Sequence, residues 1–137
     1  MMLYAGIRPH EVARLTWEQV DIVGKSICIL PQHSKTGGAR MVTIQPPLLR
    51  LLQRCSQVGR ICPPQWPRHW RALRKQAGFA TWQPDVLRHT FASYHLRHFK
   101  DYTALQYETG HRDSSLLRTR YVNMRGVENT SAFWECI

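Results

Sequence analysis

"PDVLRHTFASYH", residues 84–95, decides how this chain is read. Leu87, Phe91 and Tyr94 recur at spacings of four and three, which places them on one face of a helix. Arg88 and His89 interrupt that pattern, and Asp85 stands one turn before Arg88 on the same side. Two readings stay open on these residues alone: a core helix that tolerates a charge pair, or a helix built to hold an anion.

The composition bears on that choice. Nineteen Lys and Arg face nine Asp and Glu across 137 residues, for a formal charge of +10. A surplus of that size favours a polyanionic partner, most often nucleic acid; a domain that merely happens to be basic is the alternative. The 43% hydrophobic content suits one globular domain and argues against disorder. No apolar run approaches the roughly 20 residues that cross a bilayer, and "MMLYAGIRPHE" lacks the pattern of a signal peptide. Cys28, Cys55, Cys62 and Cys136 form no C-x-x-C pair, so they read as reduced thiols in a cytoplasmic protein. His89, His95 and His98 lack a neighbouring carboxylate or thiolate to complete a ligand set, so no metal is expected.

Working outward, "MMLYAGI" is the end of a helix stopped by Gly6, and Pro9 opens another to about Thr16 with Val12 and Leu15 inward. "KSICIL" and "ARMVTI" flank the glycine-containing turn "PQHSKTGG", which predicts a small antiparallel hairpin. "PPLLRLLQRC" starts a further helix, and "SQVGRICPPQWP" reads as a loop. Helices follow over about Pro67 to Ala77, Asp85 to Phe99, and "DYTALQYETG" closed by Gly110. "SSLLRTRYVNM" is expected as a helix entered through Asp113 or Ser114. The expected fold is mainly α with a small antiparallel β-hairpin or sheet.

Several residues could carry chemistry, each with a bland counterpart. Arg8 stands where a helix starts, beside amides that favour anions, with Glu11 able to orient it; a surface ion pair explains it equally. Lys35 sits on the hairpin turn, as a proton donor to a ligand or as a solvated turn residue. His111 follows the helix-ending Gly110 and so projects sharply. Tyr121, on one face with Leu117 and Met124, is core or a covalent nucleophile. Arg68, Arg71 and Arg74, three apart with Lys75 alongside, could track DNA phosphates over Trp66 or Trp70, or be a solvated face.

Their order is more specific than any one of them. "YAGIRPHEVARLTWEQVD" resembles the first arginine motif of the tyrosine recombinase (phage integrase) family, and "SKTGGARMVTI" its lysine hairpin. "VLRHTFAS" resembles the second arginine motif, and "TGHRDSSLLRTRYVNM" the closing His-to-Tyr segment; the likeness runs from about Leu3 to Met124. It implies a tyrosine recombinase catalytic-domain-like fold and site-specific recombination of double-stranded DNA through a 3′-phosphotyrosine, on a homo-oligomer assembled on the DNA. Arg8 and Arg88 would grip one phosphate, Lys35 would protonate the leaving 5′ oxygen, His111 would hydrogen-bond the phosphate and Tyr121 would attack it, with Glu11 and His89 in support. No cofactor and no metal are implied.

Two departures qualify the resemblance. The family's second motif usually reads His-x-x-Arg, and here Asp85 occupies the histidine position. An ionised carboxylate is a poor phosphate ligand, so Asp85 is expected to cap its helix or to hold Arg88. Family members also carry a DNA-clasping domain before the first motif, so residues 1–137 are expected to be a single partial catalytic domain without the N-terminal core-binding domain. A catalytically silent DNA-binding remnant, or a basic helical interaction module, is the competing reading.

Overall fold

The structure is a computed structural model that describes residues 1–34, 37–111 and 126–136. Lys35, Tyr121 and the helix expected over "SSLLRTRYVNM" lie outside the described residues. Helix α1, Met2–Ala5, ends at Gly6 in the left-handed region, with φ of 59°. A Cβ at Gly6 would run into the Phe91 ring, so glycine is what lets this turn sit on the long helix below it. Helix α2, Pro9–Val12, starts at the proline and is shorter than the sequence suggests. The cause is local: the Thr16 amide is taken by the Gln19 side chain at 3.1 Å, which starts a 3₁₀ turn over Trp17–Gln19.

Strands β1 (Val20–Asp21), β2 (Ser26–Ile29) and β3 (Arg40–Thr43) form an antiparallel sheet in that order. The expected hairpin is β2–β3, with Ile27 opposite Val42 and Ile29 opposite Arg40. Strand β1 has two residues, too few for an alternating pattern to reveal. Alternation turns Arg40 and Val42 inward and Met41 and Thr43 outward, so the strand carries a cation into the core. Helix α3, Pro46–Leu52, follows, and after a loop comes α4, Trp66–Gln76.

Helix α5, Val86–Phe99, packs against α1, and α6, Tyr102–Thr109, lies on β3 and α5. Asp101 caps α6 by accepting from the Ala104 amide at 2.9 Å, and Gly110 closes it with φ of 63°. Ile7, Leu15, Ile27, Ile29, Val42 and Leu105 are fully buried between these layers. The C-terminal segment folds back onto its own domain as α7, Thr130–Glu135, against α5 and α3. Phe133 stacks on Tyr94 at 4.1 Å, and Trp134 meets Phe91 edge-on at 6.1 Å.

Helix α4 buries no residue fully; Trp66 packs at the edge of the core and leads into an aromatic cluster. Trp66 stacks on Trp70, and Trp82 meets both Trp70 and Phe79 edge-on. Among the described residues no helix is long and apolar enough to cross a membrane.

His95 is buried on α5 beside Phe91 and Phe99, and among the described residues its Nδ1 has no hydrogen-bond partner. Burial holds its pKa down to about 4; Asp101 opposes this and His98 adds to it. Because the folded value lies below the unfolded 6.5, the unfolded chain binds the extra proton. Stability is therefore full above pH 6.5 and falls as the pH drops toward 4, by up to about 3 kcal/mol. Denaturant melts at pH 7 and pH 5 should show part of this loss, about 2 kcal/mol, in the native chain and a much smaller one in His95→Phe.

Candidate functional site

The opening helix carries its charge inward. Arg88, in the first turn of α5, is 3% exposed and shares the buried face with Phe91, Ala92 and His95. An arginine stays cationic in proteins, so its burial needs acceptors on every side. They come from two helix C-termini: Nη1 donates to the Gly6 carbonyl that closes α1, and Nη2 to the Thr109 carbonyl at 2.6 Å. Carbonyls at helix ends are the negative pole of the macrodipole, which suits a buried cation.

Arg8 converges on the same atom. It caps α2 in extended conformation, and its Nη1 donates to Thr109 O at 3.5 Å. Two guanidinium groups far apart in the sequence thus meet at one carbonyl. His111, one turn of backbone beyond, adds Nε2 at 3.4 Å from Arg88 Nη2. Gly110 brings the histidine round with φ of 63°, and a Cβ there would lie 3.1 Å from the Arg40 side chain, which would have to yield. A cleft of about 490 Å³ opens beside this cluster, lined by Gly38, Arg40, Gln106, Gly110 and His111 among others.

The support beneath the cluster is an ion pair. Glu11 is fully buried and receives Arg40 as a two-pronged fork, Nη1 to Oε1 at 3.0 Å and Nη2 to Oε2 at 2.7 Å. It also accepts the Arg8 amide at 3.0 Å and stands 3.6 Å from Arg8 Nη1. Burial alone would raise the Glu11 pKa, but the Arg40 bond, the Arg8 amide and both positive charges overcome it and hold it below its usual value. Arg40 Nε donates to the Glu108 carbonyl at 3.1 Å, and the Glu108 carboxylate takes the Thr43 amide at 2.9 Å. One polar network therefore ties α2, β3 and α6 together under the two arginines.

Of the residues singled out in the sequence, Arg8, Glu11, Arg88 and His111 are brought together, while Lys35 and Tyr121 lie outside the described residues. The main partner of Glu11 is Arg40 rather than Arg8. His89 follows Arg88 half-buried, its carbonyl accepting from Ser93 Oγ at 3.0 Å. Arg68, Arg71 and Lys75 are exposed on α4, as a phosphate-tracking stripe requires. Arg74 departs from that stripe: it folds over Trp70 and Trp82, 5.9 and 5.6 Å from the ring centroids.

Neither structural role expected of Asp85 is present. It occupies the N-cap position of α5, but its side chain makes no capping bond and no ion pair with Arg88 among the described residues. Its φ of 58° explains the first: the left-handed backbone turns the carboxylate away from the amides it would cap. The second follows from Arg88 already being engaged by carbonyls.

Sequence reasoning missed Arg40, Thr109 and Glu108 as parts of the site. Arg40 had a legible signal, since the alternation that buries Val42 also turns position 40 inward. Thr109 and Glu108 had none, because helical spacing alone does not separate a buried polar residue from an exposed one. Among the described residues no group of three or more His, Cys, Asp or Glu could hold a metal ion.

The sequence model for the family described as "Phage integrase family" matches residues 1–126. The fold is similar to the XerA recombinase, with 24% identity and a TM-score of 0.69, covering 98% of this chain and 53% of that one. It is similar to the catalytic domain of bacteriophage HP1 integrase, with 23% identity and a TM-score of 0.70 over 96% of this chain and 76% of that one. A third likeness is to the Tn1549 transposon integrase in complex with a circular intermediate DNA, with 18% identity, a TM-score of 0.66, and coverage of 88% and 51%. The chain spans about half the length of the XerA and Tn1549 chains. No curated protein matches the sequence.

Removing one partner of the buried pair leaves the other charge uncompensated, so Glu11→Gln should cost about 3 kcal/mol or more. Asp85→Gly should melt no lower than the native chain, because glycine accepts the left-handed backbone that the aspartate strains. Denaturant unfolding of the two variants checks both expectations.

Proposed function

Because the chain belongs to the phage integrase family, we propose that it cleaves and rejoins double-stranded DNA at specific sites through a 3′-phosphotyrosine link. One observation carries this reading: Arg8 and Arg88 converge on a single carbonyl with His111 alongside. Two fixed like charges repel, and an anion between them would relieve that repulsion. Planar guanidinium forks match a phosphodiester in shape, and they favour most the state in which charge accumulates on the pentavalent phosphorus.

In the proposed reaction the Tyr121 hydroxyl gives up its proton to water as its oxygen attacks the phosphorus, and the bond to the 5′ oxygen breaks. The leaving oxygen takes a proton from Lys35, and rejoining reverses the steps. A phenol ordinarily ionises near pH 10, so a cationic surround favours its attack. His111 hydrogen-bonds a phosphate oxygen. The parts assigned to Lys35 and Tyr121 rest on the motif resemblance, and those of Arg8, Arg88 and His111 are supported by their geometry. Energy is conserved in the covalent link, so the scheme needs neither nucleotide nor metal.

The exposed Arg68, Arg71 and Lys75 would lie along the DNA backbone, where each neutralised phosphate adds to the salt dependence. The protein would act as a homo-oligomer on DNA, in the cytoplasm, on integration or excision of a mobile element. Asp85 in place of the usual histidine favours a second reading, a silent DNA-binding relative that keeps the arginine pocket without cleaving.

A nicked duplex that loses its 5′ fragment on cleavage separates these readings. The expected result is a covalent protein–DNA adduct that disappears in Tyr121→Phe and falls at least about a hundredfold in Arg8→Ala, whose side chain lies at the rim. Salt-sensitive binding without any adduct would favour the silent relative, and no binding at low salt would sink both.

A further inference from the structure

We infer that Thr109 is a positioning residue that fixes the protonation pattern of the His111 ring. A count of hydrogens leads there. Thr109 is fully buried, and its Oγ1 lies 2.6 Å from the Leu105 carbonyl oxygen. Two oxygens approach so closely across a proton, and a carbonyl brings none. The single hydroxyl hydrogen is therefore committed to Leu105, which leaves Oγ1 as an acceptor. His111 Nδ1 lies 2.6 Å from that same Oγ1, so Nδ1 must carry the hydrogen between them.

The far side of the ring agrees. Arg88 Nη2, which can only donate, faces Nε2 at 3.4 Å, so Nε2 presents its lone pair there. Thr109 requires N–H at Nδ1 and Arg88 requires a bare Nε2, and the neutral Nδ1–H tautomer satisfies both. The Thr109 bond also fixes the ring against a flip, which would carry Nδ1 away from Oγ1. A phosphate oxygen only accepts, so hydrogen-bonding an anion held by Arg8 and Arg88 requires a second proton on Nε2, and the Thr109 bond then holds the ring in place with Nδ1–H inward. The residue is doubly used, since its carbonyl gathers the two arginines while its hydroxyl sets the histidine.

The functional consequence rests on the proposed contact between His111 and the DNA phosphate, so the test has two arms. In the first, long-range proton–nitrogen NMR of the full chain labelled at histidine nitrogens reads the tautomer, with His111→Gln assigning the signals. The native chain and Thr109→Ser should show a protonated Nδ1 and a bare Nε2. The isosteric Thr109→Val should populate the Nε2–H form. A native His111 with its proton on Nε2 overturns the inference.

In the second arm, adduct formation on the nicked duplex should slow at least about tenfold in Thr109→Val and be rescued by Thr109→Ser. In the His111→Gln background, Thr109→Val should produce no further loss. A Thr109→Val chain that cleaves at the native rate overturns the positioning role. A His111→Gln chain that does so overturns the phosphate contact beneath it, while the NMR spectrum decides the tautomer independently.

Discussion

A buried positive charge organises this molecule. Arg88 enters the core on the same helical face as Phe91, and leaving it there without acceptors would cost far more than a small domain's stability. Its acceptors are carbonyls that no helix uses, of the kind left free where helices end. Gly6 and Thr109 supply them, so α1 and α6 have to terminate against α5 at two fixed points. The glycine at the end of α1 permits the approach to Phe91, and the glycine at the end of α6 permits Arg40 to pass beneath. The ends of both helices meet over α5 where this side chain needs oxygen.

A second cation, Arg40, repeats the solution with a carboxylate. The inward alternation of β3 places it in the core, and the fully buried Glu11 meets it with both oxygens. Such pairs contribute little net stability, but breaking one exposes the whole desolvation penalty of the survivor. The pair acts as a register pin between the sheet and α2, which Arg8 immediately precedes. The site is therefore built on rigid elements, with the pocket's geometry set by the same bonds that hold the fold.

Most of the fold was legible because its signals are periodic or terminal: Leu87 and Phe91 at helical spacing, Pro9 at a helix start, Gly6 and Gly110 at helix ends. The short β1 and the early end of α2 were not, since the first has no period and the second depends on the side-chain amide of Gln19. Arg8, Arg88 and His111 could be picked out by motif order, yet nothing local says that they share the Thr109 carbonyl. Thr109 itself was invisible because its importance lies in two hydrogen bonds to residues on either side of a helix terminus. Asp85 is the reverse case: a residue type that favours capping stands where its left-handed backbone allows no cap.

An aromatic seam joins three helices that lie far apart in the sequence. Tyr4, on α1, reaches Phe133 of α7 at 5.2 Å, and its hydroxyl lies 3.1 Å from Cys136 Sγ. Phe133 and Trp134 seat on α5 at Tyr94 and Phe99, about two or three turns along the axis from Arg88. The seam makes the packing of α1 and that of α7 one cooperative unit, because both helices rest on α5.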